Sequence, residues 1–245
     1  AWGSSATDVF AVGDNGTILH FDGHSWSLMN SGTQNYLFAV WGTSPTDVYS
    51  VGDNGTILHY NGNSWVQMNS GTSNNLRGLW GTNPTNIFAS GWYHDGHRYI
   101  GTIDHYDGRT WGNQLSQSDS ELSGICGTSA ADVYVVGSCG WIWRYDGSSW
   151  SQAVDPSLAQ YNPLGGVWIA SDGTVYAVGD GETVVRYGEL QPVSAGGPAI
   201  VPPVVQFDFP NGSTPSAGQF FNLNAWIYGA GNQTLDFYFS FGLPD

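Results

Sequence analysis

The residues best suited to chemistry gather in one short stretch, Trp92-Tyr93-His94-Asp95-Gly96-His97-Arg98. His94 and His97 flank Asp95-Gly96, a pair that favours a tight hairpin turn. In a two-residue turn the imidazoles would face each other, with Cβ atoms roughly 5 Å apart. With Asp95 or Asp104 they would form a nitrogen and oxygen donor set for a divalent metal such as zinc or copper. The plainer reading is a solvated hairpin tip, because the spacing fixes no third ligand. Trp92 and Tyr93 beside Arg98 offer a second chemistry, with aromatic faces for stacking and a guanidinium for hydrogen bonding to a polar ligand. Asn35, Tyr36 and Asn74 would add two amides and another ring from neighbouring segments. No Gly-x-Ser-x-Gly, phosphate loop or lysine is present, and no nucleophile–base pair stands out. A non-enzymatic binding role is the expectation.

What positions these side chains is a repeat. Residues 40–60 restate residues 1–21 almost word for word. An anchor Trp-Gly pair falls at Trp2, Trp41 and Trp80, becomes Cys126-Gly127, and ends as Trp168 without its glycine. The spacings are 39, 39, 46 and 42 residues. A period near forty, with short strands and glycine turns, predicts an all-β chain of four-stranded β-propeller blades. In the second repeat, strand A covers 37–41, B 48–51, C 56–60 and D 65–68, with Asp53-Asn54-Gly55 turning between B and C. Repeat three carries seven extra residues, all between its strands B and C. That insertion holds Trp92 through Arg98, and a repeat protein tends to place specificity in such a loop. The B–C loops and D–A crossings should open on one face. Five repeats could close as five blades or belong to a ring of six to eight.

Two further positions recur. Strand C carries His20, His59, His105, Arg144 and Arg186, while Asp8, Asp47, Asn86, Asp132 and Thr174 precede strand B. Antiparallel pairing brings these together, so a hydrogen-bonded clasp in each blade is favoured over an anion-binding ring. Eight of the 12 tryptophans occupy two equivalent blade positions and read as packing between blades. Trp92, Trp141, Trp143 and Trp226 fall outside that pattern. Cys126 and Cys139 would lie too far apart along the hairpin to bridge, and two free thiols are expected.

The motif Trp-Gly-Thr-Ser-x-x-Asp-Val-x-x-Val-Gly-x-x-Gly-Thr-Ile-x-His-Tyr-x-Gly-x-Ser-Trp resembles a repeat common in large secreted bacterial proteins. Its ends, residues 106–111 and 145–150, are similar to Kelch and Asp-box propeller hairpins, and residues 173–178 look like tectonin-type lectin repeats. The resemblance covers residues 1–188 and implies the propeller fold. It carries over no site, since the Asp-box match is partial and the Kelch double glycine is absent. Residues 189–206, rich in Pro and Gly, read as a linker. Strands expected at 204–209, 220–228 and 235–241 make 207–245 resemble the start of an immunoglobulin-like adhesion module. The chain opens in mid-repeat, which reads as a piece of a longer protein.

A net charge of −15, with five arginines as the only basic side chains apart from histidine, disfavours nucleic acid and anionic membranes as partners. No apolar run approaches a membrane-spanning length. Low charge density with many Ser, Thr, Asn and Gly residues suggests an extracellular or cell-surface location. The leading expectation is a binding module for a carbohydrate or a surface protein, using the B–C and D–A loop face. The alternative is a structural element of a self-assembling surface or filamentous array. A glycosidase or lyase comes third.

Overall fold

The computed structural model describes residues 1–118, 120–154, 162–181, 183–187, 223–225 and 235–237. The chain divides into two units, residues 1–189 and 190–245. The first unit is built from five antiparallel sheets, each made from consecutive strands. Blade one comprises β1 (Trp2–Ser5), β2 (Asp8–Val12), β3 (Ile18–Phe21) and β4 (Trp26–Met29). Blade two comprises β5 (Leu37–Ser44), β6 (Asp47–Gly52), β7 (Ile57–Tyr60) and β8 (Trp65–Gln67). Blade three has longer strands: β9 (Asn75–Asn83), β10 (Asn86–His94), β11 (Tyr99–Tyr106) and β12 (Trp111–Ser118). Blade four is β13 (Leu122–Ser129), β14 (Asp132–Gly137), β15 (Ile142–Tyr145) and β16 (Trp150–Val154), and blade five is β17 (Leu164–Ile169), β18 (Val175–Gly179) and β19 (Thr183–Tyr187). First strands pack on first strands, β1 on β5, β5 on β9, β9 on β13 and β13 on β17, so strand A is innermost. This is the β-propeller fold.

Each blade is folded by local turn chemistry. In the B–C turns of blades one and two, Asn15 and Asn54 take left-handed backbone angles (φ 54° and 55°), which asparagine tolerates well. Cys139 holds the same conformation in blade four (φ 57°). In the C–D turns one side-chain oxygen of Asp22, Asn61, Asp107 or Asp146 accepts two backbone N–H groups two and three residues on.

The clasp expected between strands B and C forms in four blades. His20 Nε2 meets Asp8 at 2.6 Å, His59 Nε2 meets Asp47 at 2.7 Å, His105 Nε2 meets Asn86 at 2.6 Å, and Arg144 Nε donates to Asp132 at 3.0 Å. The other side of each Asp or Asn binds a hydroxyl of strand A, on Ser4, Thr43, Thr82 or Thr128. Three strands are thus tied at one end of the blade.

Apolar clusters fill the spaces between blades. Phe10 and Ile18 of blade one meet Leu37, Val40, Val48, Leu58 and Trp65 of blade two. Each such buried side chain contributes about 1.5–3 kcal/mol relative to exposure. The repeated Trp-Gly pair is an interlock between successive blades rather than a local motif. Trp2 lies over Gly42, Trp41 over Gly81 and Trp80 over Gly127, where an added Cβ would come within 2.9, 2.8 and 2.5 Å of the indole. The exception proves coupled. Where Cys126 replaces the tryptophan, the next blade carries Ile169 instead of glycine, and both pack in one core cluster.

The outer tryptophans face the preceding blade, as when Trp65 meets Phe10 and Trp150 meets Phe88, both edge-on at 6.1 Å. Trp26 of blade one and Trp168 of blade five are each 51% exposed. Among the described residues no packing like that of β1 on β5 joins blade five to blade one. Among the described residues no helix is long and apolar enough to cross a membrane.

In the second unit, β20 (Leu223–Ala225) and β21 (Leu235–Phe237) pair antiparallel. The 189–206 linker, Trp226 and the remainder of the three expected strands lie outside the described residues.

Candidate functional site

The strand A of every blade from two to five contains a β-bulge near its start. Phe38 in β5, Arg77 in β9 and Gly165 in β17 have no partner on the neighbouring strand, and β13 has one extra residue at Ser123-Gly124. A bulge re-aims the side chain it frees. In blades two and three the freed side chains meet, and the Arg77 guanidinium carbon stands 3.7 Å from the centre of the Phe38 ring. Its other neighbour is Trp92, with the ring centre 5.8 Å away. Such contacts contribute about 0.5–2 kcal/mol, depending on desolvation.

The stack continues on both sides. Tyr36 lies parallel to Phe38 at 6.3 Å, while Trp92 meets Tyr99 edge-on at 5.1 Å and Tyr99 meets His94 at 5.0 Å. A ridge therefore runs Tyr36, Phe38, Arg77, Trp92, Tyr99, His94 across blades two and three. Tyr36 and Tyr99 are each 45% exposed, so rings at both sides of the ridge reach solvent. Arg98 and Arg144 pair with Asp95 and Asp132, but no carboxylate lies within ion-pair distance of Arg77 among the described residues.

The hairpin that supplies Trp92 differs from the two-residue turn expected. β10 and β11 pair in register up to His94 opposite Tyr99, leaving Asp95-Gly96-His97-Arg98 as a four-residue turn. Asp95 Oδ1 accepts from the N–H groups of His97 (2.8 Å) and Arg98 (2.9 Å), and Asp95 N–H donates to the Arg98 carbonyl. These N–H bonds hold the Asp95 carboxyl below its usual range. It is the same turn that closes the C–D hairpins at Asp22, Asp107 and Asp146. His94 faces Tyr99 instead of His97, and its Nδ1 accepts from Gly96 N–H at 3.2 Å. The geometry proposed for a His94–Asp95–His97 metal site is therefore not the one the hairpin adopts. Among the described residues no group of three His, Cys, Asp or Glu side chains is placed to hold an ion.

Of the other expected ligand residues, Trp92 and Tyr36 belong to the ridge. Tyr93 pairs with Ile100 and so lies on the opposite face of the hairpin. Asn35 and Asn74 sit in the crossings, with their amides donating to Thr56 (2.8 Å) and Thr102 (3.3 Å) of strand C. Asn162 makes the equivalent bond to Thr183, so the position serves the scaffold in three crossings. Arg98 and Tyr99 line a groove of about 340 Å³ toward blade four, completed by Ser120, Glu121, Ser138 and Cys139. A second groove of about 410 Å³, between residues 27–32 and 63–65, contains no charged side chain. The B–C turns and D–A crossings do share a face: Gly16 N–H donates to Asn35 O (2.9 Å) and Gly55 N–H to Asn74 O (2.7 Å).

Phe38 and Arg77 are the site residues that sequence reasoning passed over. The position reads Phe38, Arg77, Ser123, Gly165 from blade to blade, so no repeat pattern marks it. The available signal was an arginine replacing an apolar residue in the innermost strand of the blade that also bears the insertion.

One buried and one partly buried group accompany the hairpin. Asp104 is 4% exposed where blades one and two have Leu19 and Leu58, and burial raises its carboxyl pKa. Its Oδ1 accepts from Asn113 at 3.2 Å, while Oδ2 has no partner. Burial lowers the pKa of neighbouring His105, whose clasp partner is the neutral Asn86. Trp141 and Trp143 stack at 5.8 Å, and Trp143 packs into the core between blades three and four. Both cysteines are free, with Cys126 partly buried and Cys139 exposed.

Arranged this way, the chain falls in the class of β-propeller proteins with one elaborated blade. No family model and no curated protein matches it. Solved structures do. It is similar to YCF48 bound to D1 peptide, at 16% identity and a TM-score of 0.55, covering 76% of this chain and 62% of that one. It is also similar to the extracellular domain of a putative one component system from B. thetaiotaomicron, at 11% identity and a TM-score of 0.57, covering 97% of this chain and 34% of that one. The WD40 β-propeller domain of Doa1 matches at 12% identity and a TM-score of 0.53, over 74% of this chain and 63% of that one. At these identities the likeness is one of fold, and this chain spans less than two thirds of each.

Proposed function

We propose that this propeller is an extracellular, non-enzymatic binding module that recognises carbohydrate on the B–C and D–A loop face. The observation that carries the reading is the ridge of Tyr36, Phe38, Trp92 and Tyr99, which sets partly exposed aromatic rings of blade two beside those of blade three's inserted hairpin and its polar groups. Pyranose rings stack on such faces, and a few polar groups nearby fix their orientation. A protein partner would use the same face. The extracellular domain among the similar structures, and a propeller that binds a peptide, are compatible with this placement. Binding of the intact chain to a broad glycan array tests it. Saturable binding reduced at least tenfold by Trp92→Ala, with unchanged folding by near-ultraviolet circular dichroism, supports the module. Binding that is indifferent to Trp92 argues against it.

One observation favours the structural alternative. Trp168 of blade five is 51% exposed, and among the described residues the nearest atoms to Gly3 of blade one belong to Ser5, Asp8 and Val9 rather than to a tryptophan. These are the two halves of the interlock that joins blades, so copies joined head to tail would bury both. Sedimentation of wild-type and Trp168→Ala protein tests this reading, which predicts higher-order species that the substitution abolishes.

A further inference from the structure

We infer that the ligand of this face carries a carboxylate, which Arg77 receives, and that the glycan is therefore an acidic sugar. The inference rests on the carbohydrate reading and sharpens it. Arg77 is one of five arginines in a chain of net charge −15, and it has no carboxylate partner among the described residues. It stands on the innermost strand, freed from pairing by the bulge, and is only partly exposed. The guanidinium stacks on Phe38 at 3.7 Å with Trp92 at 5.8 Å, and that stacking limits its conformational freedom before any ligand arrives. Stacking engages the faces of a guanidinium and leaves its edge N–H groups able to bind a carboxylate through two parallel hydrogen bonds.

The surroundings select among anions. Tyr36 lies beyond Phe38 and Tyr99 beyond Trp92, so partly exposed rings continue the ridge past the cation's two ring neighbours, which suits a ring that bears the charge, such as a uronate or sialate. A bare inorganic anion would leave those faces unused. The chain's overall negative charge does not oppose this, because at physiological salt it is screened beyond about 8 Å, whereas Arg77 would touch the ligand. A nucleic acid would present many phosphates, which the net charge of −15 repels.

The test is an array on which every uronate and sialate glycan is printed beside its methyl ester, together with peptides ending in a free carboxylate or an amide. The intact chain is compared with Arg77→Gln and Arg77→Lys. Acidic glycans should bind at least tenfold more tightly than their esters. Arg77→Gln should bring acid and ester to the same affinity, and Arg77→Lys should restore only part of the difference. Glycan binding indifferent to esterification, or a preference that survives Arg77→Gln, overturns the carboxylate assignment and leaves the carbohydrate reading intact. Binding confined to peptides with a free carboxylate overturns the sugar assignment. Absence of any glycan binding by folded protein overturns both.

Discussion

Blades two and three are built to one plan and differ where the plan meets solvent. In each, an aromatic residue of strand B lies against the clasp histidine, Tyr49 stacked on His59 at 4.3 Å and Phe88 tilted against His105 at 4.4 Å. Each also gives a tryptophan to the glycine of the next blade, and each has a bulge at the start of strand A. Blade two then closes its B–C turn in three residues, Asp53–Gly55. Blade three extends both strands into a hairpin, and replaces Leu58 by Asp104 beneath it. Positions that face another blade are held by packing, and a change in one requires a change in its partner, as at Cys126 and Ile169. On the loop face the crossing asparagines still serve the scaffold, but the tip of the inserted hairpin faces no neighbouring blade's core and can be given over to a ligand.

The largest effect that would break this comparison lies in the interlock. Gly81→Val places a side chain where Trp41 and the Asn86 carbonyl already stand, and is expected to destabilise by about 3 kcal/mol. Ile169→Val, at the same blade position without a facing tryptophan, should cost about 1 kcal/mol. Urea denaturation of both variants reads the difference, and equal effects would remove the interlock.

Asp104 comes next. With its pKa raised by burial, its neutral form is favoured in the fold, so its contribution is intact below the ordinary carboxylate pKa and is lost as pH rises through the raised value. Asp104→Leu, which restores the residue type of blade two, should stabilise by about 1–3 kcal/mol at pH 7. The gain should shrink toward pH 3 in the same denaturation series.

His105 sharpens the comparison from the other side, with a smaller effect. Its lowered pKa means that stability is complete above about pH 6.5 and declines as pH falls toward the lowered value. His105→Gln should flatten the slope of stability between pH 7.5 and 5.5. The smallest effect is kinetic. Burial pushes the Cys126 thiol up to about 12, whereas Cys139 is exposed, so a thiol reagent at pH 8 should modify one cysteine quickly and the other only on unfolding.

Much of this was legible in the sequence. The blade period, the strand order, the clasp of Asp8 with His20 and its equivalents, and the packing role of the repeated tryptophans all follow from comparing one repeat with the next. What a single repeat cannot show is which residue of one blade touches which of another. The meeting of Arg77 with Phe38, and of each tryptophan with a glycine about 40 residues on, therefore became visible only in three dimensions. The hairpin tip was a different kind of miss. Asp95-Gly96 alone predicts a two-residue turn, whereas Asp22-Gly23, Asp107-Gly108 and Asp146-Gly147 open four-residue turns in this chain, and the hairpin follows them. That one choice of register moved His94 from His97 to Tyr99.

The most direct test of the central claim is a hairpin exchange. Residues 92–100 are replaced by the Asp-Asn of blade two, and glycan binding and thermal unfolding are measured beside the wild type. A melting temperature within a few degrees of the wild type, with binding lost, is the predicted result: the scaffold is complete without the insertion and the site is not. Undiminished binding by the folded exchange variant would contradict it, and would move the functional surface away from blade three.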